Sequence, residues 1–100
     1  MMYKGTTPIH VFILPFDTNT IENAVITYSQ KGRIIFEKWK DDCIFEDNTI
    51  TVNLSQEETL KFERSSPAKI QLRVRTYDDV AYASQIYEES IIPCLNKEVI

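Results

Sequence analysis

Residues Ile21 to Trp39 read IENAVITYSQKGRIIFEKW. In the first half Ala24, Ile26 and Tyr28 alternate with Asn23, Val25 and Thr27, the period of two that sends successive side chains to opposite faces of a strand. Gln30, Lys31 and Gly32 follow, and a glycine accepts the positive φ that a tight reversal demands. Arg33 to Trp39 then resumes the strand pattern. The stretch is predicted as an antiparallel hairpin, which sets the fold class for the rest. The parity of its second strand stays open. With Ile34 and Phe36 inward, Ile35 and Trp39 stand outside as apolar groups flanking a charge, an arrangement typical of binding hot spots. The opposite parity, or cover by the chain's own tail, turns Ile35 and Trp39 inward.

Toward the amino terminus, Pro8 to Leu14 is apolar on nearly both faces and is closed by Pro15, which predicts a buried or doubly covered strand. Toward the carboxyl terminus a smaller hairpin is expected, Cys43 to Phe45 and Thr49 to Leu54 around Glu46, Asp47 and Asn48. At Leu54 the period changes. Ser55 with Glu58 three residues on forms a capping box, predicting one helical turn over Ser55 to Lys61. Ala68 to Thr76 is a strand buried on one face: Ile70, Leu72 and Val74 point one way, Lys69, Gln71, Arg73 and Arg75 the other. Tyr77, Asp78 and Asp79 make a turn. Val80 to Ile92 is ambiguous: Val80, Ala83, Tyr87 and Ile91 fit a helical stripe, while Val80 to Ile86 equally fits a returning strand. The strand is preferred, because the turn sets it beside its neighbour.

About seven short strands with regular turns and one helical turn near 55–61 predict an all-β fold, a single antiparallel β-sandwich of immunoglobulin-like type over residues 1–100. Trp39 precedes both cysteines, so the Cys, Trp, Cys order of antibody domains is absent. Only two glycines and four prolines occur in the 100 residues, which leaves no linker and one domain.

The net charge of −4 is spread over both halves. The basic residues cluster only at Lys69, Arg73 and Arg75, a solvated strand face rather than a phosphate footprint. The acidic pairs Asp41/Asp42, Glu57/Glu58, Asp78/Asp79 and Glu88/Glu89 are too scattered to mimic nucleic acid. No run approaches the ~20 apolar residues of a membrane span, and Val11 to Leu14 is too short for a signal-peptide core. The expectation is a cytosolic chain with no nucleic-acid or membrane partner. In that compartment Cys43 and Cys94 are expected as free thiols.

Reactive constellations are missing. His10, the one histidine, has no carboxylate nearby in sequence to orient it as a base. His10, Cys43 and Cys94 are too few for a structural zinc site. Glu57 and Glu58 point to different helix faces, and Glu58 is already used as a cap. Two glycines cannot build a phosphate-cradling loop. Asp47, Asn48, Asp78 and Asp79 would meet calcium only if two turns converged, and they are ordinary turn residues. No catalytic residue, cofactor, metal or small-molecule substrate is expected. The ending Cys94 to Ile100 carries Val99 and Ile100, an apolar pair that either tucks onto its own domain or docks on a neighbour. The same holds for Met1 to Tyr3.

The stretches TPIHVFILPFDT (Thr7 to Thr18), LSQEETLKF (Leu54 to Phe62), IQLRVRT (Ile70 to Thr76) and CLNKEVI (Cys94 to Ile100) resemble a group of small phage and prophage proteins of Gram-positive gut bacteria. In strand order and in its late helical turn the chain is also similar, more loosely, to the amino-terminal β-sandwich of phage baseplate upper proteins. The resemblance implies a β-sandwich made in the bacterial cytosol, or carried in the virion, and it transfers no catalytic residue.

The expected function is therefore a non-enzymatic structural or interaction module acting through a protein partner or self-association, with Ile35, Trp39, Val99 and Ile100 as interface residues. Two alternatives stand beside it. One is an acidic phage accessory protein inhibiting a host enzyme or nuclease. The other is a carbohydrate-binding sandwich using Trp39, Tyr77, Tyr82 and Tyr87.

Overall fold

Lys31 and Gly32 both take positive φ, 53° and 76°, and form the two-residue reversal whose twist matches that of paired strands. Around them the computed structural model, which describes residues 1–100, builds ten strands. They are β1 (Met2–Tyr3), β2 (Ile9–Ile13), β3 (Ile21–Gln30), β4 (Arg33–Trp39), β5 (Cys43–Glu46), β6 (Thr49–Asn53), β7 (Ala68–Thr76), β8 (Ala81–Ala83), β9 (Tyr87–Glu89) and β10 (Ile91–Ile92). One helix, α1 (Gln56–Leu60), lies between β6 and β7. Ser55 caps it, accepting from the Glu58 amide at 3.1 Å while the Glu58 carboxylate accepts from the Ser55 amide at 2.8 Å. The expected capping box is present. Glu58 also takes both its oxygens to Lys38 Nζ, at 2.9 and 2.8 Å, which fixes the helix against β4.

The strands form an all-β sandwich of immunoglobulin-like kind. One sheet has the order β2-β6-β5; the other runs β4-β3-β7-β8, with β9 also pairing β7. All these pairings are antiparallel. A parallel clasp pairs β1 near the amino terminus with β10, ahead of the carboxyl-terminal tail. Between the sheets lie Phe12 and Leu14, Ala24, Ile26 and Tyr28, Ile50, Val52 and Leu54, and Ile70, Leu72 and Val74, all buried. The preferred strand reading of Val80 to Ile92 holds, broken into three short pieces. Cys43 and Cys94 are unpaired thiols.

Two expectations need correction. The strand at Pro8 to Leu14 is not covered on both faces: Phe12 and Leu14 are buried, but Ile9, Val11 and Ile13 are 62, 56 and 76% exposed. Apolar character on both faces reads like burial, yet here one face looks out. The second correction concerns Arg33 to Trp39, where neither parity runs the whole length. Tyr28 is opposite Phe36 while Ser29 is opposite Ile34, so a bulge admits an extra residue at Ile35 and resets the alternation. Ile35 and Phe36 both pack on the core, Ile34 is exposed, and Trp39 is 48% exposed. Ile35 is therefore not the outward apolar group that an unbroken alternation would make it.

Gln30 ends β3 buried. Its amide nitrogen donates to the carbonyls of Glu63 and Ser66, both at 2.7 Å, and its oxygen accepts from the Glu63 amide at 2.8 Å. One side chain thus satisfies the backbone of the loop that returns from α1 to β7.

Candidate functional site

A sandwich of two open sheets has four lateral edges, and each edge strand presents unpaired backbone groups unless it is blunted by charge, proline, bulges or shortness. Strand β4 carries Arg33, Glu37 and Lys38 and the bulge. Strand β5 has four residues and ends in Glu46. Strands β8 and β9 have three residues each, and β9 carries Glu88 and Glu89. Strand β2 is different. Its five residues, Ile-His-Val-Phe-Ile, contain no carboxylate, lysine, arginine, glycine or proline, and its register with β6 runs unbroken from Ile9–Asn53 to Ile13–Thr49. Pro8 and Pro15 lie just outside it.

The hydrogen bonds at its ends fix the direction of its backbone groups. Leu54 N–H donates to the Pro8 carbonyl at 3.0 Å, and Leu14 N–H donates to the Asn48 carbonyl at 2.8 Å. Alternation along an antiparallel ladder then turns His10 and Phe12 toward β6 and aims the N–H and C=O of Ile9, Val11 and Ile13 at the open side. The same three residues carry the exposed side chains. Across the sheet, Val11 sits in a row with Thr51 and Ile44, and Ile44 is exposed as well. The free edge and an apolar outer stripe therefore coincide.

Between this edge and the opposite sheet runs an open groove of about 570 Å³. Phe12, Leu14, Ile70, Leu72, Tyr82 and Tyr87 give it an apolar floor and wall, with His10 and Glu89 among its polar groups. Phe12 meets the edge of the Tyr87 ring, centroids 6.0 Å apart. His10 points inward, where Nδ1 shares a 2.7 Å hydrogen bond with the Tyr28 hydroxyl. Tyr28 stacks in turn on Phe36, centroids 4.7 Å apart. Burial lowers the His10 pKa from its ordinary 6.5, against a smaller opposing pull from Glu89. Burial therefore favours the uncharged imidazole on β2. Burial also raises the Tyr28 phenol, with Cys43 and Glu58 adding to it.

The interface residues expected from sequence do not assemble into one surface. Ile35 borders a shallow depression with Gln30, Lys31, Arg33 and Glu63. Trp39 borders another with Val25, Arg73 and Ala81. Val99 and Ile100 are exposed, and the Ile100 amide donates to Gln56 Oε1 at 2.7 Å, which places the tail beside α1. Of the four aromatics considered for sugar binding, Tyr82 and Tyr87 line the groove, Trp39 lies apart from it, and Tyr77 stands within 5.9 Å of the Lys40 ammonium. Lys69, Arg73 and Arg75 project from the exposed face of β7. No group of three or more His, Cys, Asp and Glu side chains is placed to hold a metal ion. No helix is long and apolar enough to cross a membrane. The edge of β2 went unread in the sequence, although the signal was there: a charge-free run between two prolines with β-branched residues at alternate positions.

No family model and no curated protein sequence matches this chain. Among solved structures the V domain of amphioxus IgVJ-C2 is similar, with 11% identity and a TM-score of 0.36 over 90% of this chain and 96% of that one.

Proposed function

We propose that this chain is a non-enzymatic interaction module that takes a strand of a protein partner onto the free edge of β2. One observation carries the reading: Ile9, Val11 and Ile13 offer both unpaired backbone groups and exposed β-branched side chains along the one edge without a charge or bulge. Main-chain pairing supplies affinity in strand addition, and the alternating side chains supply specificity. The resemblance of the four quoted stretches supports membership of a phage or prophage gene set, as a virion-associated or accessory protein acting in the bacterial cytosol or in the particle assembled there.

A photo-crosslinking amino acid at position 11 tests the first part, with the same group at the exposed Glu57 of α1 as control. Irradiation in cells that express the protein natively is expected to give a discrete protein adduct from position 11 alone. No adduct at position 11, or the same adducts from both positions, overturns strand addition. The identity of the adduct separates the roles, since a particle component fits a virion protein and a host enzyme fits an inhibitor. Flanking genes without phage functions would overturn the second part.

A further inference from the structure

We infer that the strand received by β2 is β2 of a second copy, running antiparallel about a two-fold axis through Val11. The inference rests on the strand-addition reading and names its partner. The outward positions of β2 read Ile9, Val11, Ile13, which is the same in both directions. Antiparallel pairing centred on Val11 therefore sets Ile9 against Ile13 of the other copy and Val11 against its own counterpart, with no charge meeting a like charge. Because the N–H and C=O groups of these three residues face the open side, each pair is of the type that exchanges two hydrogen bonds. A register centred on His10 or Phe12 still sets outward residues against each other, but within the strand it forms only two such pairs, Ile9 with Val11 or Val11 with Ile13, where the register centred on Val11 forms three.

The side chains agree with the backbone. On the outer face two short stripes merge into one block of β-branched residues, the composition favoured in cross-strand pairs. On the inner face His10 of one copy comes beside Phe12 of the other, at the mouth of the groove that Tyr87 borders in each copy. The interface is isologous and closed, so it stops at a dimer. Identical copies of β5 or β9 would instead bring Glu46, or Glu88 and Glu89, into the contact, while β4 is interrupted by its bulge and β8 has only three residues.

Sedimentation equilibrium on the purified chain from about 10 μM to about 1 mM is expected to show the mass rising from 11.7 kDa toward twice that value. Val11→Lys and Val11→Glu are each expected to weaken the dimer at least ~10-fold by setting like charges across the axis, while an equimolar mixture of the two restores it. Ile44→Lys, on the same outer face but away from the edge, is expected to leave the dimer intact. Amide exchange on the unmutated chain gives a readout independent of variant folding: Ile9, Val11 and Ile13 should slow with concentration. A single-chain mass throughout overturns the inference, as does a dimer indifferent to Val11→Lys or a mixture that restores nothing. If the mass stays single while position 11 still crosslinks another protein in cells, strand addition survives and only the second copy fails.

Discussion

A glutamine buried at the end of a strand is costly unless each of its polar atoms finds a partner. Gln30 meets that condition by binding three backbone groups of the Glu63–Ser66 loop. Gln30→Leu keeps the volume but strands those groups, and a loss of about 2–3 kcal/mol is expected in urea unfolding. Cys43 is a second residue whose behaviour follows from its surroundings. Burial, with Asp42 adding to it, raises the thiol from 9.0 to about 11, against an opposing pull from Lys38. The thiolate is the nucleophile, so near pH 8 Cys43 should react with iodoacetamide roughly a hundredfold more slowly than an unperturbed thiol. The sign for stability is fixed by the same shift. The folded state holds its proton longer than the unfolded one, so the contribution is complete below 9.0 and is lost as pH rises from 9.0 through about 11. Unfolding measured across that window should show the decline in the native chain and a smaller one in Cys43→Ala.

At the scale of elements, the β3–β4 hairpin turns on Lys31 and Gly32. No atom lies within 4 Å of where a Cβ on Gly32 would stand, so Gly32→Ala costs backbone strain alone, about 1 kcal/mol. Lys31→Asn should move stability the other way by about 0.5 kcal/mol, because asparagine tolerates the left-handed conformation that Lys31 adopts. Thermal melts of the two variants should shift in opposite directions. These elements were legible in sequence because each depends on local chemistry: a glycine at a reversal, a serine three residues before a glutamate, an alternation over Ala68 to Thr76. What could not be read depends on partners distant in the chain. The bulge at Ile35 follows from the register of β4 on β3, and no feature of RIIFEKW marks it. The exposure of Ile9, Val11 and Ile13 follows from which sheet β2 joins and on which side. A stripe of isoleucine and valine has the same letters whether another layer lies over it or not. For the candidate site, the sequence left open whether Trp39, Val99 and Ile100 face outward; all three are exposed, and the contiguous edge lies elsewhere.

For the whole molecule, the extents of 47 × 27 × 17 Å describe a slab. Its thin dimension leaves room for two sheets ~10 Å apart with their side chains and for no third layer. A thin core makes each contributor count, including those at the ends of the chain. Met2 is buried, as is Ile91, its partner in the parallel pairing of β1 with β10. Met2→Ala should cost about 2–3 kcal/mol in global stability, measurable as a lower urea midpoint with an unchanged slope. A change in slope would mean that the ends open separately from the sandwich.

The parallel clasp also has a mechanical meaning. Met2 N–H binds the Ser90 carbonyl and Lys4 N–H binds the Ile92 carbonyl, both at 2.8 Å. Tension carried along the polypeptide would enter β1 at one end of this short ladder and leave β10 at the opposite end. Both bonds would then be loaded together in shear, where an antiparallel pair would be peeled open one bond at a time. The clasp would act as a tensile latch protecting the sheets behind it.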